Sequence, residues 1–563
     1  VIRQTKQKDK AKKWLVVGSV ILGVALFLFI GQYVFTNWLQ QKLEKTVNNN
    51  TDGVYQLELF GMETSPFVGT LSVDSLALTP DYDRWKELKS QGKDVSRTLV
   101  ELRSKAISLN RLSFFKILFQ NNVDLDSMLV QNPELLITAM AKDTTGQHQP
   151  MHKTVNGLLR NMHIGKIDVN DANLRYRNYN QRNTDMFALK SFNLTVDDFR
   201  LDSTSLQDPK RAYYSNNIVL KAKAALYNLP NNLYKLTTDS VLINVDKKLF
   251  TVSNIYYRPT VGPTALAKAT GDATAHLKVK VPQVTISGLD YDAHSRTNNF
   301  IASQVLISKP SLNGYKDKKH FKDSKNQPLP HDLVQSIKPG FMISSMKVTE
   351  GYVRYEELAE KASETGHIYF TNLNCTITNL TNMPKQISRK NPAVIKASAL
   401  MMGKVKTQAT VRLPLLDKSG YHTLKGNIQG GRPQVLNPIL VPTSFIKIDK
   451  GFVQQINFSA TLNRQRATGT MKALYTNLEV EILSTGAASG RDQSLGKKIL
   501  SKAADWFLIE DSNPDSKGDK ARIAQIKVKR DRNKSFISYW KDCLASGLLA
   551  SMGLEKMAEK QFN

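Results

Sequence analysis

From about Val54 to Leu483 apolar and polar residues alternate in short runs with a period of two. That period puts one class of residue on each face of a strand. Leu277, Val279 and Val281 in LKVKV are one case, and Val405, Ala409, Val411 and Leu413 in VKTQATVRL another. Ile456, Phe458, Ala460 and Leu462 in INFSATL, and Leu478, Val480 and Ile482 in LEVEI, repeat the pattern. Asn, Asp, Gly and Pro separate the runs, as at Leu229-Pro230-Asn231-Asn232. The pattern predicts a mainly β body of many antiparallel strands. Helix signals inside it are few; DYDRWKELKSQ, Asp81 to Gln91, reads as a short surface helix or loop insertion.

The pattern breaks at both ends. Trp14 to Phe35 is apolar and carries no Asp, Glu, Lys or Arg. About 22 residues at 1.5 Å rise span roughly the 30 Å hydrocarbon core of a bilayer. Six Lys and Arg precede the run against one acid, Asp9, which places residues 1–13 in the cytoplasm and the body across the membrane. A cleaved signal peptide is the competing reading. The run is long for one, and Val34-Phe35-Thr36 is not a small-x-small cleavage site, so a retained single-pass anchor over residues 14–35 is expected. At the other end, Ser484 to Ser494 is Gly- and Ser-rich. An amphipathic stretch follows with Leu495, Ile499, Leu500, Ala503, Trp506 and Phe507 on one helical face, then a basic strand-like stretch, Lys517 to Lys534. The last segment is a candidate helix with Ile537, Trp540, Leu544 and Leu548 at helical spacing. Two readings fit that helix: a cap on the end of the sheet, which is favoured, or a helix lying on a membrane surface.

The β body reads as duplicated. Tyr55 and Leu57 recur as Tyr234 and Leu236, and Val73 and Pro80 as Val252 and Pro259, at an offset of 179. LVQNPEL (Leu129 to Leu135) recurs as LISKPSL at 177, and KIDVNDANLRYRN (Lys166 to Asn178) as SMKVTEGYVRYEE at 179. FNLTV (Phe192 to Val196) recurs as LNCTI at 181, and IVLKA (Ile218 to Ala222) as AVIKA at 175. These matches divide the body into a first unit at 54–228, a second at 229–415 and a partial third at 421–483, followed by a helical and basic region at 484–563.

Composition narrows the functional classes. Hydrophobic content is 41%, ordinary for a folded chain, and the two cysteines, Cys375 and Cys543, exclude a disulfide framework. The net charge of +29 fits attraction to anionic lipid head groups and equally fits a solvated basic face. No HExxH, GxSxG, P-loop, GxGxxG or CxxC motif occurs, so no catalytic residue, metal ligand or cofactor is assigned. His148, His152 and His163 lie closest together among the nine histidines, without acids at ligand spacing. Asp124 and Asp126, and Asp197 and Asp198, fall in strand-and-turn text, where Asp serves turns. Basic residues do not interleave with aromatics as nucleic-acid binders require.

A many-stranded sheet with one apolar face must close, stack, or curl into a trough whose floor a ligand covers. Periodicity alone does not choose between a trough and a dry sandwich or barrel. The layout of basic N-terminus, single anchor, long β body and helical end resembles the AsmA-like family of bacterial envelope proteins. VDLDSMLVQNPELLI (Val123 to Ile137) is similar to that family's strand-then-x-x-P-x-L-x-I element. Leu424 to Leu483, with Leu436-Asn437-Pro438, Gly451 and Tyr475-Thr476-Asn477-Leu478, resembles its C-terminal portion. The resemblance implies an elongated repetitive β-trough related to bridge-like lipid-transfer proteins. It also implies anchorage in the inner membrane, a periplasmic body and a part in outer-membrane lipid homeostasis or biogenesis. It brings no catalytic residues. The expected ligands are phospholipid acyl chains, with envelope proteins as further partners. The expected apolar strand face comprises Val405, Ala409, Val411, Leu413, Ile456, Phe458, Leu462, Leu478 and Val480, and the expected anchor runs from Trp14 to Phe35. The alternative from another class is a structural or scaffolding envelope protein with a closed, dry β core and a protein partner.

Overall fold

The computed structural model describes residues 29–140, 161–181, 184–202, 204–205, 207–483, 509–515 and 519–562. The chain divides into two compact units, Val1–Tyr227 with Leu242–Asp246, and Asn228–Val241 with Lys247–Asn563.

The first unit opens with a helix, α1, over residues 29–50. Its strands are β1 (Tyr55–Phe60), β2 (Glu63–Ser65), β3 (Thr70–Val73), β4 (Ser75–Pro80), β5 (Thr98–Ser104), β6 (Ala106–Asn110), β7 (Asn122–Gln131), β8 (Glu134–Ala139), β9 (Asn161–Asn178), β10 (Asp185–Leu201) and β11 (Asn217–Asn228). Pairing is antiparallel except that β7 and β8 both run parallel to β9. Two helices interrupt the strands. α2 (Tyr82–Ser90), the helix of the two readings of its text, is capped by the Asp81 carboxylate and pinned by buried Trp85 and Leu88. α3 (Phe114–Gln120) ends on Asn121 in the left-handed region. The first strand's open edge is covered rather than bare. From α1, the Gln40 amide donates to Leu59 O, and Glu44 accepts from Leu59 N–H. Thr36 and Thr64 share a hydroxyl hydrogen bond of 2.6 Å. Such cover removes a template for edge-to-edge pairing.

The second unit holds β12 (Tyr234–Thr238), β13 (Ser240–Asn244, its last residues counting with the first unit), β14 (Leu249–Pro259), β15 (His276–Ser287), β16 (Phe300–Ser308), β17 (Ser311–Asp317), β18 (Phe341–Leu358), β19 (Gly366–Thr381), β20 (Ala393–Met401), β21 (Val405–Leu413), β22 (His422–Gly431), β23 (Ile446–Leu462), β24 (Arg466–Ile482) and β25 (Ala524–Lys529). Its helices are α4 (Pro263–Thr270), α5 (Tyr291–Thr297), α6 (Pro330–Gln335), α7 (Asn437–Ser444), α8 (Phe536–Ser551) and α9 (Glu555–Phe562). Again one step is parallel: β16 and β17 both pair with β18 in that sense.

The two units share more than a strand order; their registers coincide residue by residue. Val123 faces Met162 and Glu134 faces Asn173 in the first, while Phe300 faces Phe341 and Ser311 faces Tyr352 in the second. Tyr55 faces Pro80, and Tyr234 faces Pro259. The Tyr55 hydroxyl accepts from Val100 N–H at 2.9 Å, and the Tyr234 hydroxyl from Leu277 N–H at 3.2 Å. Left-handed backbone recurs at matched non-glycine residues: Asn132 (47°) and Lys309 (49°), Asp171 (51°) and Glu350 (52°), Ser191 (45°) and Asn372 (50°). These are kink and bulge positions, uncommon for residues with a Cβ, so their recurrence marks one backbone plan used twice. One detail differs from the sequence alignment. Val196 faces Ile218 and Ile377 faces Ile395, so Ile218 matches Ile395 at an offset of 177, not 175. A two-residue slip preserves the in–out alternation, which is why period-two text does not reveal it.

At the far end of the second unit β22, β23, β24 and β25 continue the antiparallel order. There α8 packs as a cap, and buries Tyr539, Cys543, Ser546, Gly547, Leu549 and Ala550. Of the face expected from Ile537, Trp540, Leu544 and Leu548, the last three pack half-buried against the same core and Ile537 is exposed, so the buried face is centred beside the expected one. The small residues win because they allow close approach. A Cβ on Gly547 would stand 2.8 Å from Met471 Cε and 3.0 Å from Ile526 Cγ1. The amphipathic stretch Leu495 to Phe507 lies outside the described residues. No helix among the described residues is long and apolar enough to cross a membrane, and the expected anchor lies outside them as far as residue 28.

Candidate functional site

Directly paired residues share a face, so the register lists can be followed across a sheet. In the second unit one row runs Val252, Val284, Ile307, Val348, Cys375, Ala397, Ala409, Gly426, Phe458, Met471 and Ala524. No member is polar. A second apolar row is Phe250, Ile286, Val305, Met346, Ile377, Ile395, Val411, Leu424, Ala460, Gly469 and Ile526. The row between them, on the opposite face, is Thr251, Thr285, Leu306, Lys347, Thr376, Lys396, Thr410, Lys425, Ser459, Thr470 and Gln525. The sheet therefore has one apolar and one hydroxyl- and lysine-rich face. The first unit repeats the apolar row as Val73, Ile107, Val130, Val169, Leu194 and Leu220.

Burial changes along the apolar face. At β23 to β25 it is dry: Phe458, Met471 and Ala524 are buried in a core with Tyr539, Cys543 and Ala550 of α8. From β15 to β21 it is half-open, with Val284, Ile307, Val348, Cys375, Ala397 and Ala409 all half-buried. Six neighbouring strand positions span about 24 Å, which exceeds the ~15 Å of one leaflet's hydrocarbon. Of the strand-face positions singled out from the text, Val405, Val411, Leu413, Ile456, Phe458, Leu462 and Leu478 are buried, and Ala409 and Val480 half-buried. Periodic text thus selects the closed part of the face, where Val411 and Leu413 share a core with Val334 of α6. Sequence reasoning missed the half-open row through Val348; the row through Ile395 is half-buried at Met346, Ile377 and Ile395 but closed at Val305 and Val411. The signal available was the matching of apolar positions across the repeat.

A hollow of about 580 Å³ is lined by members of adjoining rows, among them Lys347, Thr376, Lys396 and Thr410 with Cys375 and Ala397. Its lining joins these residues of the lysine-rich face to Val348, Cys375, Ala397 and Ala409 of the half-open apolar row. Burial pushes the Cys375 thiol up, away from a reactive thiolate.

Two polar clusters are built into the fold. In the first unit His163 lies between two carboxylates, Nδ1 at 3.1 Å from Asp124 and Nε2 at 3.1 Å from Asp198. The text placed no acids beside this histidine; the strands bring both to it, while His148 and His152 lie outside the described residues. Burial works to raise the Asp198 carboxyl, but Arg211 and Arg200 hold it at about 2. Lys116 holds the Asp124 carboxyl down. Among the described residues no three His, Cys, Asp or Glu are grouped to hold a metal ion. In the second unit His422 is fully buried. Its Nδ1–H donates to Gly420 O at 2.8 Å, and its Nε2 accepts from the Trp540 indole of α8 at 3.0 Å. His331 of α6 donates from Nε2 to Tyr421 O, and its buried Nδ1 has no hydrogen-bond partner. Both rings are thereby held neutral. Burial pushes the His422 imidazole down to about 4. These groups fasten α6 and α8 to the sheet.

No family model and no curated protein matches the chain. Among solved structures, the crystal structure of Pseudomonas aeruginosa OccK8 (OprE) aligns at 7% identity over 72% of this chain and 84% of that one, with a TM-score of 0.09. The P pilus usher (PapC) translocation pore aligns at 6% identity over 75% and 86%, also at 0.09. Scores this low carry no argument about fold.

Proposed function

We propose that this is an envelope protein, anchored in the inner membrane by Trp14 to Phe35 with its body in the periplasm, whose apolar sheet face binds or transfers phospholipid. The observation that carries the reading is the half-open apolar face from Val284 to Ala409, backed by fully paired strands. Each methylene laid on such a face contributes about 0.8 kcal/mol, so acyl chains are suited to it. The step is passive: the face lowers the free energy of a lipid tail outside the bilayer, and no covalent chemistry is involved. The AsmA-like resemblance supports the same reading and adds a part in outer-membrane lipid homeostasis.

Photo-crosslinking separates the two faces. A benzophenone amino acid at Val348 or Ile395, in the full chain in native membranes, is expected to give phospholipid adducts detectable by mass spectrometry. The same probe at Thr376 or Lys396 is expected to give none. Protein adducts without lipid at Val348 would transfer support to a scaffold with a dry core.

A further inference from the structure

Most exposed large hydrophobics of the first unit gather on three adjoining elements, with Phe60, Tyr213 and Tyr227 elsewhere. On α1 they are Phe29, Ile30, Tyr33, Val34 and Trp38; in the turn between β2 and β3, Phe67 and Val68; on α3, Phe115 and Phe119. The elements are joined on their inner sides. Phe35 of α1 meets Phe114 of α3 edge-on at 5.4 Å. Thr36 is bonded to Thr64 of β2, and Leu112 N–H donates to Gly69 O at the end of the turn. Beneath them Leu39, Met62, Leu71, Leu112 and Phe114 form one small core. The outer sides are left in water: Phe67 is 82%, Phe119 73% and Phe115 63% exposed. With Phe at roughly 200 Å² each, these three alone present about 400 Å² of apolar surface, the size of a functional patch.

The duplication supplies the control. The second unit has the same turn, with Leu289 N–H donating to Lys248 O, and the same helix, α5, ending on left-handed Asn298. Where the first unit has Phe67 and Val68, the second has Asp246 and Lys247. Where α3 has Phe115 and Phe119, packed ring to ring at 5.0 Å, α5 has Asp292 and Arg296, joined as an ion pair. The backbone plan does not require apolar residues at these positions.

We infer that these three elements form a collar that seats the first unit in a lipid bilayer at the depth where head groups meet acyl chains. The occupant follows from continuity: α1 is the direct extension of the apolar run that begins at Trp14, and the collar surrounds the stretch where that run ends. Lys42, whose Nζ lies 4.8 Å from the Trp38 ring, is placed to reach phosphate head groups, while exposed Arg111 beside the turn is paired with Asp126 at 2.8 Å. The inference rests on the proposed anchorage but not on lipid binding by the sheet face.

The full chain, with Cys375→Ala and Cys543→Ala, is labelled with a nitroxide at F67C, F119C or, for reference, R296C, in phosphatidylcholine–phosphatidylglycerol vesicles. At positions 67 and 119 collisions with oxygen are expected to exceed those with a water-soluble nickel chelate by about fivefold, with the opposite order at 296. Labels at 67 and 119 as wet as that at 296, in chains that float with the vesicles, would overturn the collar alone. Chains that do not float would overturn the anchorage and the collar together. A second variant, F115D/F119R, installs the ion pair that α5 carries and is expected to fold. It is expected to move the label at 67 toward water, and an unchanged label there counts against the collar.

Discussion

Acid should loosen α8 below about pH 6.5 through His422, against an opposing effect of Asp542 on the same helix, whose carboxyl burial pushes up so that its protonation favours the fold. His422 is neutral in the fold, with Nδ1–H donating to Gly420 O and Nε2 accepting from Trp540. Protonation gives Nε2 a hydrogen that points at the indole N–H, so the bond is lost and a charge is left buried. The folded value is about 4 and the ordinary value 6.5. Above 6.5 the ring is neutral in both states and adds no pH dependence. As pH falls, the open state binds the proton first, and docking weakens until the folded value is passed. Linkage gives a loss of about 2 kcal/mol at pH 5 and about 3 kcal/mol at pH 4. Asp332 and Asp417 nearby have carboxyls held below their ordinary 3.8. Their contribution is present above that value and is lost only on further acidification, outside this window. Hydrogen exchange over Phe536 to Ser551, corrected for intrinsic rate, should show protection falling about 30-fold between pH 7.5 and 5. In His422→Gln, where an amide oxygen takes the indole N–H without titrating, the fall should be much smaller. Equal losses in both proteins would refute the reasoning.

Three further outcomes are expected. Val411→Asp places a carboxylate at a position 3% exposed and should cost at least about 3 kcal/mol, whereas half-open Val348→Asp should cost under about 1 kcal/mol and still abolish lipid adducts; thermal melts check both. Tyr55→Phe and Tyr234→Phe each leave a strand N–H without its acceptor, and Tyr234→Phe also leaves Ala275 O without its donor; denaturant unfolding should show losses of about 1–2 kcal/mol, the larger for Tyr234→Phe. Gly547→Val forces side-chain atoms onto Met471 and Ile526 and should lower α8 protection more than Gly547→Ala does, as read by hydrogen exchange.

The β character and the repetition were legible because both rest on local text. Alternation in VKTQATVRL set the faces of β21, and NPEL and KPSL marked the kinks at Pro133 and Pro310. The parallel step was not legible. It depends on a return path of more than 20 residues, and strand text carries no direction. The closed and open parts of the apolar face also read alike, because what separates Val411 from Val348 is a helix packed from elsewhere, not a neighbour in sequence. The centre of α8's buried face was not legible for a related reason. Spacing identifies large apolar residues, while Gly547, Ser546 and Ala550 are chosen for the distance they permit. The His163 cluster needed strands to bring Asp124 and Asp198 from 39 and 35 residues away.

The parallel step has a consequence for how such a chain can change. Each antiparallel neighbour here is held in a fixed register, some of them, such as β20 and β21, by a short turn, and a single residue added within a strand would transfer the rest of it to the wrong face. The return between β17 and β18, residues 318–340, has no ladder register to keep, though α6 within it is fastened through His331 to Tyr421 O and through Asp332 to Arg464. It must reach from one end of the sheet to the other, and its Leu329, His331 and Val334 roof one end of the apolar face. Its counterpart between β8 and β9 has unrelated text. The return is thus the adjustable part of the repeat. It can lengthen, shorten or change composition with every ladder intact, and the amount of apolar face left uncovered can be tuned there without altering one strand.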